Sequence, residues 1–330
     1  MKRRIRWGIL GPGRIAGKLA AALRESEGAE LAAVGSRSLE RAERFAAGFG
    51  FARAHGSYEE LARDAGVDAV YIATPHSRHR DDTLLCLHAG KHVLCEKPFA
   101  INAAEAEEMI AAARAQKLAL MEAMWMRFMP SILKVRNLVE GGEIGEIRKI
   151  TADFGFRARF DPESRLFDPA LGGGALLDVG VYPVSLAFFL LGEPATVSGL
   201  AHIGETGVDE ESTAILGYGS GAQALLTMAL RLESPQEAFI LGTEGSIWIP
   251  RGWWKSERIV VRDKGRRERT IDLPRIENGF ICQAEEIMGL IHAGKTESGL
   301  MPLDDSLAVM RIMDRIREHW GLIYPMEISS

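Results

Sequence analysis

The chain has 330 residues, of which 47% are apolar and 26% charged, and its formal net charge is −5. This is ordinary globular composition, and a weakly acidic chain without a long Lys/Arg run offers no basic surface for nucleic acid. The 3 cysteines have no CxxC spacing, so they indicate neither a disulfide framework nor a zinc cluster and favour a cytoplasmic protein.

Residues 1–122 alternate short β-type runs with helix-type runs, which is typical of a parallel sheet with crossover helices. The basic N-terminus has too short an apolar part for a signal or a membrane span, so no membrane association is predicted. The predicted strands are Ile5–Leu10, Glu30–Gly35, Ala69–Ala73, His92–Cys95 and Leu118–Met121, and the predicted helices are Ile15–Leu23, Leu39–Phe49, Asp81–His88 and Ala103–Ala115.

After residue 122 closely spaced strand-type runs replace this alternation. A helix is predicted at Ile132–Leu138, and two more, Phe280–Ile291 and Leu303–His319, close the chain. Between them lie runs that resemble antiparallel strands joined by turns, namely Ile147–Phe156, Thr196–Ile203, Ser212–Tyr218, Ala222–Ala229, Ala238–Leu241, Ile247–Pro250 and Ile259–Val261. Residues 123–330 are therefore predicted to form an α+β domain with a large, mainly antiparallel sheet.

A glycine-rich loop, Gly11-Pro12-Gly13-Arg14-Ile15-Ala16, joins the first strand to the first helix. The first Gly allows the tight turn, the second lets a pyrophosphate approach the backbone, and Ala16 is small enough for helix and strand to pack. The helix N-terminus offers free N–H donors to the anion. We predict a Rossmann-type, doubly wound domain of residues 1–122 that binds a dinucleotide through Gly11, Gly13, Arg14 and Ile15. The alternative is a purely structural turn.

The second strand ends in Ser36-Arg37-Ser38, and Arg41 follows one turn later. Enzymes that use NAD usually carry an acid here for the ribose 2′-hydroxyl. A hydroxyl and a guanidinium suit a 2′-phosphate instead, because Arg pairs with phosphate bidentately. We predict that Ser36, Arg37 and Arg41 bind NADP in preference to NAD. The alternative is a helix N-cap at Ser36 or Ser38 beside a solvated Arg.

Three further segments follow in order: Thr74-Pro75-His76-Ser77-Arg78-His79, then Cys95-Glu96-Lys97-Pro98, then Gly172-Gly173-Gly174-Ala175-Leu176-Leu177-Asp178-Val179-Gly180-Val181-Tyr182. Together with the glycine loop they resemble the glucose-fructose oxidoreductase, inositol dehydrogenase and rhizopine-catabolism (Gfo/Idh/MocA) family. Met121 to Phe128 and Arg165 to Asp168 look most like its dimeric dihydrodiol dehydrogenase and NADP-dependent D-xylose 1-dehydrogenase branch. Tyr182 agrees with that branch, whereas His76 replaces a common Asn and Ala16 replaces the third Gly.

The resemblance implies that Lys97 points into a cleft between the domains, beside the nicotinamide, and that Pro98 fixes its turn. Glu96 then orients the turn or pairs with Lys97. The resemblance also implies cofactor contacts from the segment after the strand Ala69–Ala73, at Thr74, Pro75, His76 and His79. For His79 the alternative is a capping or packing role.

Oxidation of an alcohol needs a group that accepts the hydroxyl proton while hydride leaves the carbon. A free Tyr, with a pKa of about 10, requires a nearby cation for this task. We predict Tyr182 as the general base, Lys97 as the cation, and Asp178 as an acceptor of a substrate hydroxyl or a residue that positions Lys97. Because Pro183 cannot bond back to Val179, a local kink is expected to aim Tyr182 away from an ideal i,i+4 pair with Asp178. The alternative for Tyr182 is a core residue with a satisfied hydroxyl.

Trp125 and Phe156, together with Phe154, are predicted to form an apolar wall for a sugar face or an aromatic diol, or else to be core or interface residues. Arg127 is predicted to meet substrate hydroxyls or a carboxylate, or else to be solvated. No metal site is predicted, since His76 and His79 have no obvious third ligand.

The predicted function is an NADP-dependent dehydrogenase of a sugar lactol or cyclic diol. The alternatives are a catalytically silent cofactor or sugar sensor on the same fold and a cofactor-assisted glycosidase. The resemblance further implies a substrate-binding and dimerisation role for residues 123–330, with a homodimer formed through the sheet of that domain.

Overall fold

The computed structural model describes residues 3–328, and the chain divides into two compact units. The first unit comprises Met1–Trp125 and Asn278–Leu307, and the second comprises Met126–Glu277 and Ala308–Ser330. Residues 278–307 thus return to the first unit, where the Leu120 N–H bonds the Thr296 carbonyl at 3.3 Å. The predicted functional division at residues 122 and 123 stays a prediction.

The first unit contains a parallel sheet of 6 strands in the order β3-β2-β1-β4-β5-β6, which is the doubly wound arrangement predicted. The strand order reverses between β1 and β4, so ligands of such a sheet sit outside the carboxyl ends of these strands. The elements are β1 (Ile5–Leu10), α1 (Arg14–Glu25), β2 (Ala29–Gly35), α2 (Leu39–Phe49), β3 (Arg53–His55), α3 (Tyr58–Arg63), β4 (Ala69–Ile72), α4 (His79–His88), β5 (His92–Cys95), α5 (Ala103–Gln116) and β6 (Leu120–Glu122).

The second unit contains a sheet of 8 strands in the order β14-β13-β12-β11-β7-β10-β9-β8, in which only the β7–β10 pair is parallel. The prediction of an α+β domain with a large, mainly antiparallel sheet is confirmed. Its elements are α6 (Pro130–Glu140), β7 (Ile147–Gly155), α7 (Val181–Leu191), β8 (Thr196–Ile203), β9 (Asp209–Gly217), β10 (Gln223–Ala229), β11 (Ala238–Gly242), β12 (Gly245–Ile249), β13 (Arg258–Asp263) and β14 (Glu268–Asp272).

Three helices complete the described chain: α8 (Phe280–Ala293) in the first unit, α9 (Leu303–Trp320), which begins in the first unit and ends in the second, and α10 (Pro325–Ile328) in the second. Helix α7 covers one face of the second unit's sheet, and Val181 to Ala187 are all buried. The run Pro169–Leu191 is long and apolar enough to cross a membrane, but 78% of its most apolar window is buried, as in the core helix of a globular domain.

The sequence pattern missed two strands and several short helices. Strand β3 has 3 residues and strand β14 has the sequence ERTID, and each lies at the edge of its sheet. Neither carries an apolar alternation, because an edge strand buries little side-chain surface. Helices α3 and α10 are too short, at 6 and 4 residues, to show a helical period.

Candidate active site

The glycine loop lies at the carboxyl end of β1, at the point where the strand order reverses. Gly11 has φ +81°, and a Cβ there would stand 2.8 Å from the Ala73 carbonyl, so only glycine fits the turn. Gly13 precedes α1 without a side-chain cap, and a Cβ on it would meet nothing closer than 3.9 Å. The first turn of α1 therefore presents open backbone donors, which fits a pyrophosphate.

The first turn of α1 has side chains whose exposure fits a pyrophosphate site. Arg14 and Ile15 are exposed on the open side of the loop, whereas Ala16 is fully buried against the sheet. A larger side chain than Ala at position 16 would separate helix from strand. Ala16 thus fulfils the packing role of the usual third glycine.

Two arginines stand beyond the carboxyl end of β2. Arg37 and Arg41 are exposed, and the loop between them is ordered by the serines: the Ser36 hydroxyl accepts from the Ser38 N–H at 3.2 Å, and Ser38 caps α2 by accepting from the Arg41 N–H at 3.3 Å. The alternative of an N-cap is therefore correct for Ser38, and it leaves both guanidinium groups at the surface. This arrangement fits a phosphate ligand, and no carboxylate occupies the strand end.

The residues after β4 form a short, mostly buried turn. Thr74 is 7% and His76 7% exposed, and Pro75 precedes a single turn of 3₁₀ helix, His76–Arg78. His79 is fully buried, with Nδ1 2.8 Å from the Pro98 carbonyl and Nε2 3.1 Å from the Thr74 carbonyl. It connects the turn after β4 to the turn after β5.

Burial lowers the pKa of His79 to about 4, since the two carbonyls offset only part of the desolvation of an imidazolium. The ring is then neutral and donates to one carbonyl at a time. Because no part of the side chain reaches the surface, the structure favours the packing alternative for His79, in which it holds two cofactor-side turns together. Direct contact with the cofactor stays a prediction for Thr74, Pro75 and His76.

The charged turn after β5 has a specific internal structure. Between Val93 and Ile101 every residue except Lys97 is buried. The carboxylate of Glu96, 5% exposed, accepts a hydrogen bond from the Tyr71 hydroxyl and another, at 3.3 Å, from the Lys97 N–H, and the Lys97–Pro98 peptide bond is cis. These contacts fit the predicted role of Glu96 in orienting the turn, and its pairing with Lys97 stays a prediction.

In the second unit the candidate base lies in an aromatic cluster. The ring of Tyr182, 6% exposed, is 5.2 Å from Phe154 and 6.2 Å from Trp254, and the last two rings stack at 3.7 Å. The cluster forms because β7 places Phe154 on the face that α7 covers and the loop after β12 adds Trp254. Phe154, rather than Phe156 one step past β7, packs against Tyr182.

Asp178 lies one turn before Tyr182 on an irregular helix. Residues Leu176–Gly180 form a π-helix, in which the Val181 N–H bonds the carbonyl of Leu176, and Pro183 falls in the first turn of α7. The expected departure from an i,i+4 pair thus takes the form of a wider helical turn, a feature common at functional sites. Asp178 is 5% exposed and accepts from Nη1 of Arg165 at 2.8 Å.

Two predicted substrate residues, Arg127 and Trp125, pack against side chains of their own units. Arg127 is fully buried, donates from Nε to Ser185 at 3.3 Å, and places its guanidinium 4.5 Å from the Phe189 ring. The alternative of a solvated Arg127 is therefore wrong. The burial of the Arg127 side chain favours a structural role over contact with the substrate. Trp125 stacks on Phe280 with ring centroids 5.3 Å apart in the first unit.

Sequence reasoning missed Trp254 and the pairing role of Arg165. The signal for the first is the dipeptide Trp253-Trp254 in a loop, an unusual place for two large aromatic side chains. Arg165 belongs to the segment that carried the family resemblance, but its partner lies 13 residues later and only the fold brings them together.

Comparisons with known proteins show the family to which the chain belongs. Residues 5–124 match the family described as "Oxidoreductase family, NAD-binding Rossmann fold", and residues 132–248 match the GFO/IDH/MocA C-terminal domain. A trans-1,2-dihydrobenzene-1,2-diol dehydrogenase from Xenopus tropicalis is 38% identical, over 97% of this chain and 99% of that protein. The chain belongs to the Gfo/Idh/MocA oxidoreductase family.

Solved structures of two oxidoreductases have the same fold over nearly the whole chain. A 3-ketoreductase from Actinomadura kijaniata, in complex with NADP and TDP-benzene, has a TM-score of 0.87 and 29% identity, over 96% of this chain and 98% of that one. An aldose-aldose oxidoreductase from Caulobacter crescentus, complexed with glycerol, has a TM-score of 0.87 and 28% identity, over 96% of this chain and 97% of that one.

Proposed function

We propose that this protein is an NADP-dependent dehydrogenase that oxidises the CH–OH group of a sugar lactol or a cyclic trans-diol. The observation that carries the proposal is the open glycine loop before α1, with Arg37 and Arg41 exposed beyond the neighbouring strand. A dinucleotide with a 2′-phosphate fits both features. A nicotinamide bound at this site would supply the hydride acceptor.

The proposed chemistry assigns one task to each catalytic residue. Tyr182 accepts the hydroxyl proton as the carbon loses hydride, so that the alcohol becomes a carbonyl and the two electrons leave with the hydride. Lys97 hydrogen-bonds the reacting oxygen and supplies the positive charge that stabilises the phenolate. Asp178, which accepts a hydrogen bond from Arg165 at 2.8 Å, accepts another from the substrate hydroxyl next to the reacting one.

The aromatic cluster of Phe154, Tyr182 and Trp254 supports a ring-shaped substrate. Flat aromatic faces pack well against the apolar face of a pyranose or a cyclohexadiene, while Asp178 provides the polar contact. Two of the relatives named above act, by their names, on a cyclic diol and on aldoses. A substrate with a ring and adjacent hydroxyls is common to both.

We also propose a homodimer formed through the face of the second unit's sheet that α7 does not cover. Leu200 is 82%, Ile215 43% and Phe239 36% exposed, and the Phe239 and Trp248 rings stack on neighbouring strands. A second copy of this face would bury these apolar side chains. All 3 cysteines are free thiols, which supports a cytoplasmic location for the dimer.

The test is the initial rate of NADPH appearance with a panel of aldoses, including D-xylose, and cyclic trans-diols. For Tyr182→Phe we expect a loss of roughly 10²- to 10⁴-fold in kcat with NADP binding retained. The matched control is Tyr218→Phe, which removes another buried hydroxyl of the second unit, one that lacks a hydrogen-bond partner among residues 3–328. Undiminished turnover by Tyr182→Phe would contradict the assignment of the base. Tight NADP binding without turnover would favour the sensor or the glycosidase.

A further inference from the structure

Two buried side chains from distant parts of the second unit meet the glycine segment at residues 172–174. Gly174 has φ +119°, and a Cβ added there would collide with Oδ1 of Asp209 and lie 3.1 Å from the Tyr324 hydroxyl. No residue other than glycine fits at this point. The segment is thus pressed directly against Asp209 and Tyr324.

Asp209 begins strand β9 and is fully buried. Its Oδ2 accepts from the Leu176 N–H at 2.8 Å and from the Ser212 hydroxyl at 3.1 Å, while Oδ1 has no hydrogen-bond partner among the described residues. Leu176 is the first residue of the π-helix, and its N–H has no carbonyl partner within the helix. Asp209 therefore holds the start of the helix that carries Asp178.

Tyr324 holds the same segment from the C-terminal part of the chain. It is fully buried, and its hydroxyl donates to the Gly173 carbonyl at 2.6 Å. Its N–H donates to Glu327 at 2.7 Å, and the Arg317 guanidinium, which is itself paired with Glu327, lies 5.1 Å from its ring. The C-terminal region thus forms a rigid support for the glycine segment.

We infer that Asp209 and Tyr324 are positioning residues for the reaction: they fix residues 173–176 so that the following helix presents Asp178 and Tyr182 in one orientation. The inference rests on the proposed function for the roles of Asp178 and Tyr182. Neither Asp209 nor Tyr324 is exposed, so both act through the helix rather than on the substrate. Displacement of a catalytic group by about 1 Å can reduce a rate about 10²-fold, so a partial loss of support has a measurable effect.

The first test compares Tyr324→Phe with the control Tyr218→Phe. Tyr324→Phe removes the bond to the Gly173 carbonyl but keeps the ring beneath Arg317. We expect kcat to fall about tenfold while the KM for NADP stays at its wild-type value, because the glycine loop and the arginines belong to the first unit. Amide hydrogen exchange of residues 173–182 is expected to rise in Tyr324→Phe and not in the control.

The second test uses Asp209→Asn and Asp209→Ala. Asn keeps an oxygen that accepts from the Leu176 N–H and is expected to retain kcat within about threefold, whereas Ala removes the acceptor and is expected to lose tenfold or more. If Asp209→Ala does not fold, Tyr324→Phe still tests whether the support of residues 173–176 affects the reaction.

Wild-type kcat and wild-type exchange at residues 173–182 in Tyr324→Phe would overturn the inference, as would a rise in exchange spread evenly over the second unit. If the wild-type enzyme oxidises no alcohol, the proposed function fails, and the exchange comparison then decides the positioning role by itself.

Discussion

Arg165 donates from Nη1 to Oδ1 of Asp178 at 2.8 Å, and the side chains of the pair differ in accessibility, at 49% for Arg165 and 7% for Asp178. The buried carboxylate is therefore oriented by a guanidinium that reaches solvent. A substrate that binds Asp178 would meet the Arg165 side chain as well. The pair joins the loop after β7 to the π-helix. Both segments belong to the motifs on which the family resemblance rests.

Arg165→Met is expected to raise the substrate KM and to lower kcat/KM about three- to tenfold. The effect is modest because a half-exposed ion pair is weakened by solvent screening. Steady-state kinetics with a saturating cofactor measure it. The control is Arg262→Met, which breaks the Arg262–Glu268 pair on the β13–β14 hairpin. Equal kinetics in both variants would exclude a role for Arg165 at the site.

Tyr71→Phe is expected to destabilise the fold by about 1–3 kcal/mol, because it removes a donor from the buried carboxylate of Glu96. Urea denaturation of the wild type, Tyr71→Phe, Glu96→Gln and the double variant measures the coupling between the two residues. Strictly additive losses would show that the hydrogen bond does not support the turn that carries Lys97.

Arg37→Asp is expected to reverse the cofactor preference. The guanidinium that we propose to pair with a 2′-phosphate is replaced by a carboxylate, which repels the phosphate and accepts a hydrogen bond from a ribose 2′-hydroxyl. We expect kcat/KM for NADP to fall roughly 10- to 100-fold and that for NAD to rise. The control is Arg44→Met on α2, the helix that follows Arg37, where Arg44 pairs with Glu40 at 2.5 Å. An unchanged NADP to NAD ratio in Arg37→Asp would place the 2′-phosphate elsewhere.

Asp209 is expected to make stability depend on pH. Burial raises its pKa from 3.8 to about 7, and the bonds from Leu176 and Ser212 and the charge of Arg317 offset only part of this effect. Because the folded state holds the proton more tightly than the unfolded state, the stability from this group is complete below about pH 4 and is lost as pH rises to about 7.

The measurement is the free energy of unfolding of the wild type and of Asp209→Asn at pH values from 4.5 to about 7.5. The Asn variant lacks this titration, and Tyr324, whose pKa is held well above its usual value by burial and by the charge of Asp209, does not titrate in this range. The wild type is expected to lose stability relative to Asp209→Asn as pH rises through this window. A difference that does not vary with pH would contradict a raised pKa at Asp209.

Leu200→Glu is expected to convert the proposed homodimer to a monomer, because it buries a charge in the proposed interface. Light scattering after gel filtration measures the molar mass. Leu39→Glu, at a 48% exposed apolar position in the first unit, is the control. A monomeric wild type, or a dimeric Leu200→Glu, would exclude this face as the interface.

Much of the first unit was predictable from local sequence pattern. The loop from Gly11 to Ala16 follows a buried strand and opens a helix, and its function depends on backbone freedom that only small residues provide. Lys97 and Pro98 are also local, since a residue just past a parallel strand lies at the ligand side of such a sheet. The two polar edge strands were not predictable, because they bury too little apolar surface to leave a periodic signal.

The sequence by itself determined the alternating βα half, the phosphate loop, the basic end of β2 and the order of the family motifs, because each depends on residues that are neighbours in the chain. Only the tertiary structure decided that Glu96 accepts from Tyr71, that Asp178 pairs with Arg165, that Trp254 joins Tyr182 and that Asp209 and Tyr324 hold the glycine segment. Tyr324 is 151 residues from Gly173, and no local propensity encodes such a contact. It exists because strands and helices that bury their apolar faces bring distant polar groups to places where each must find a partner.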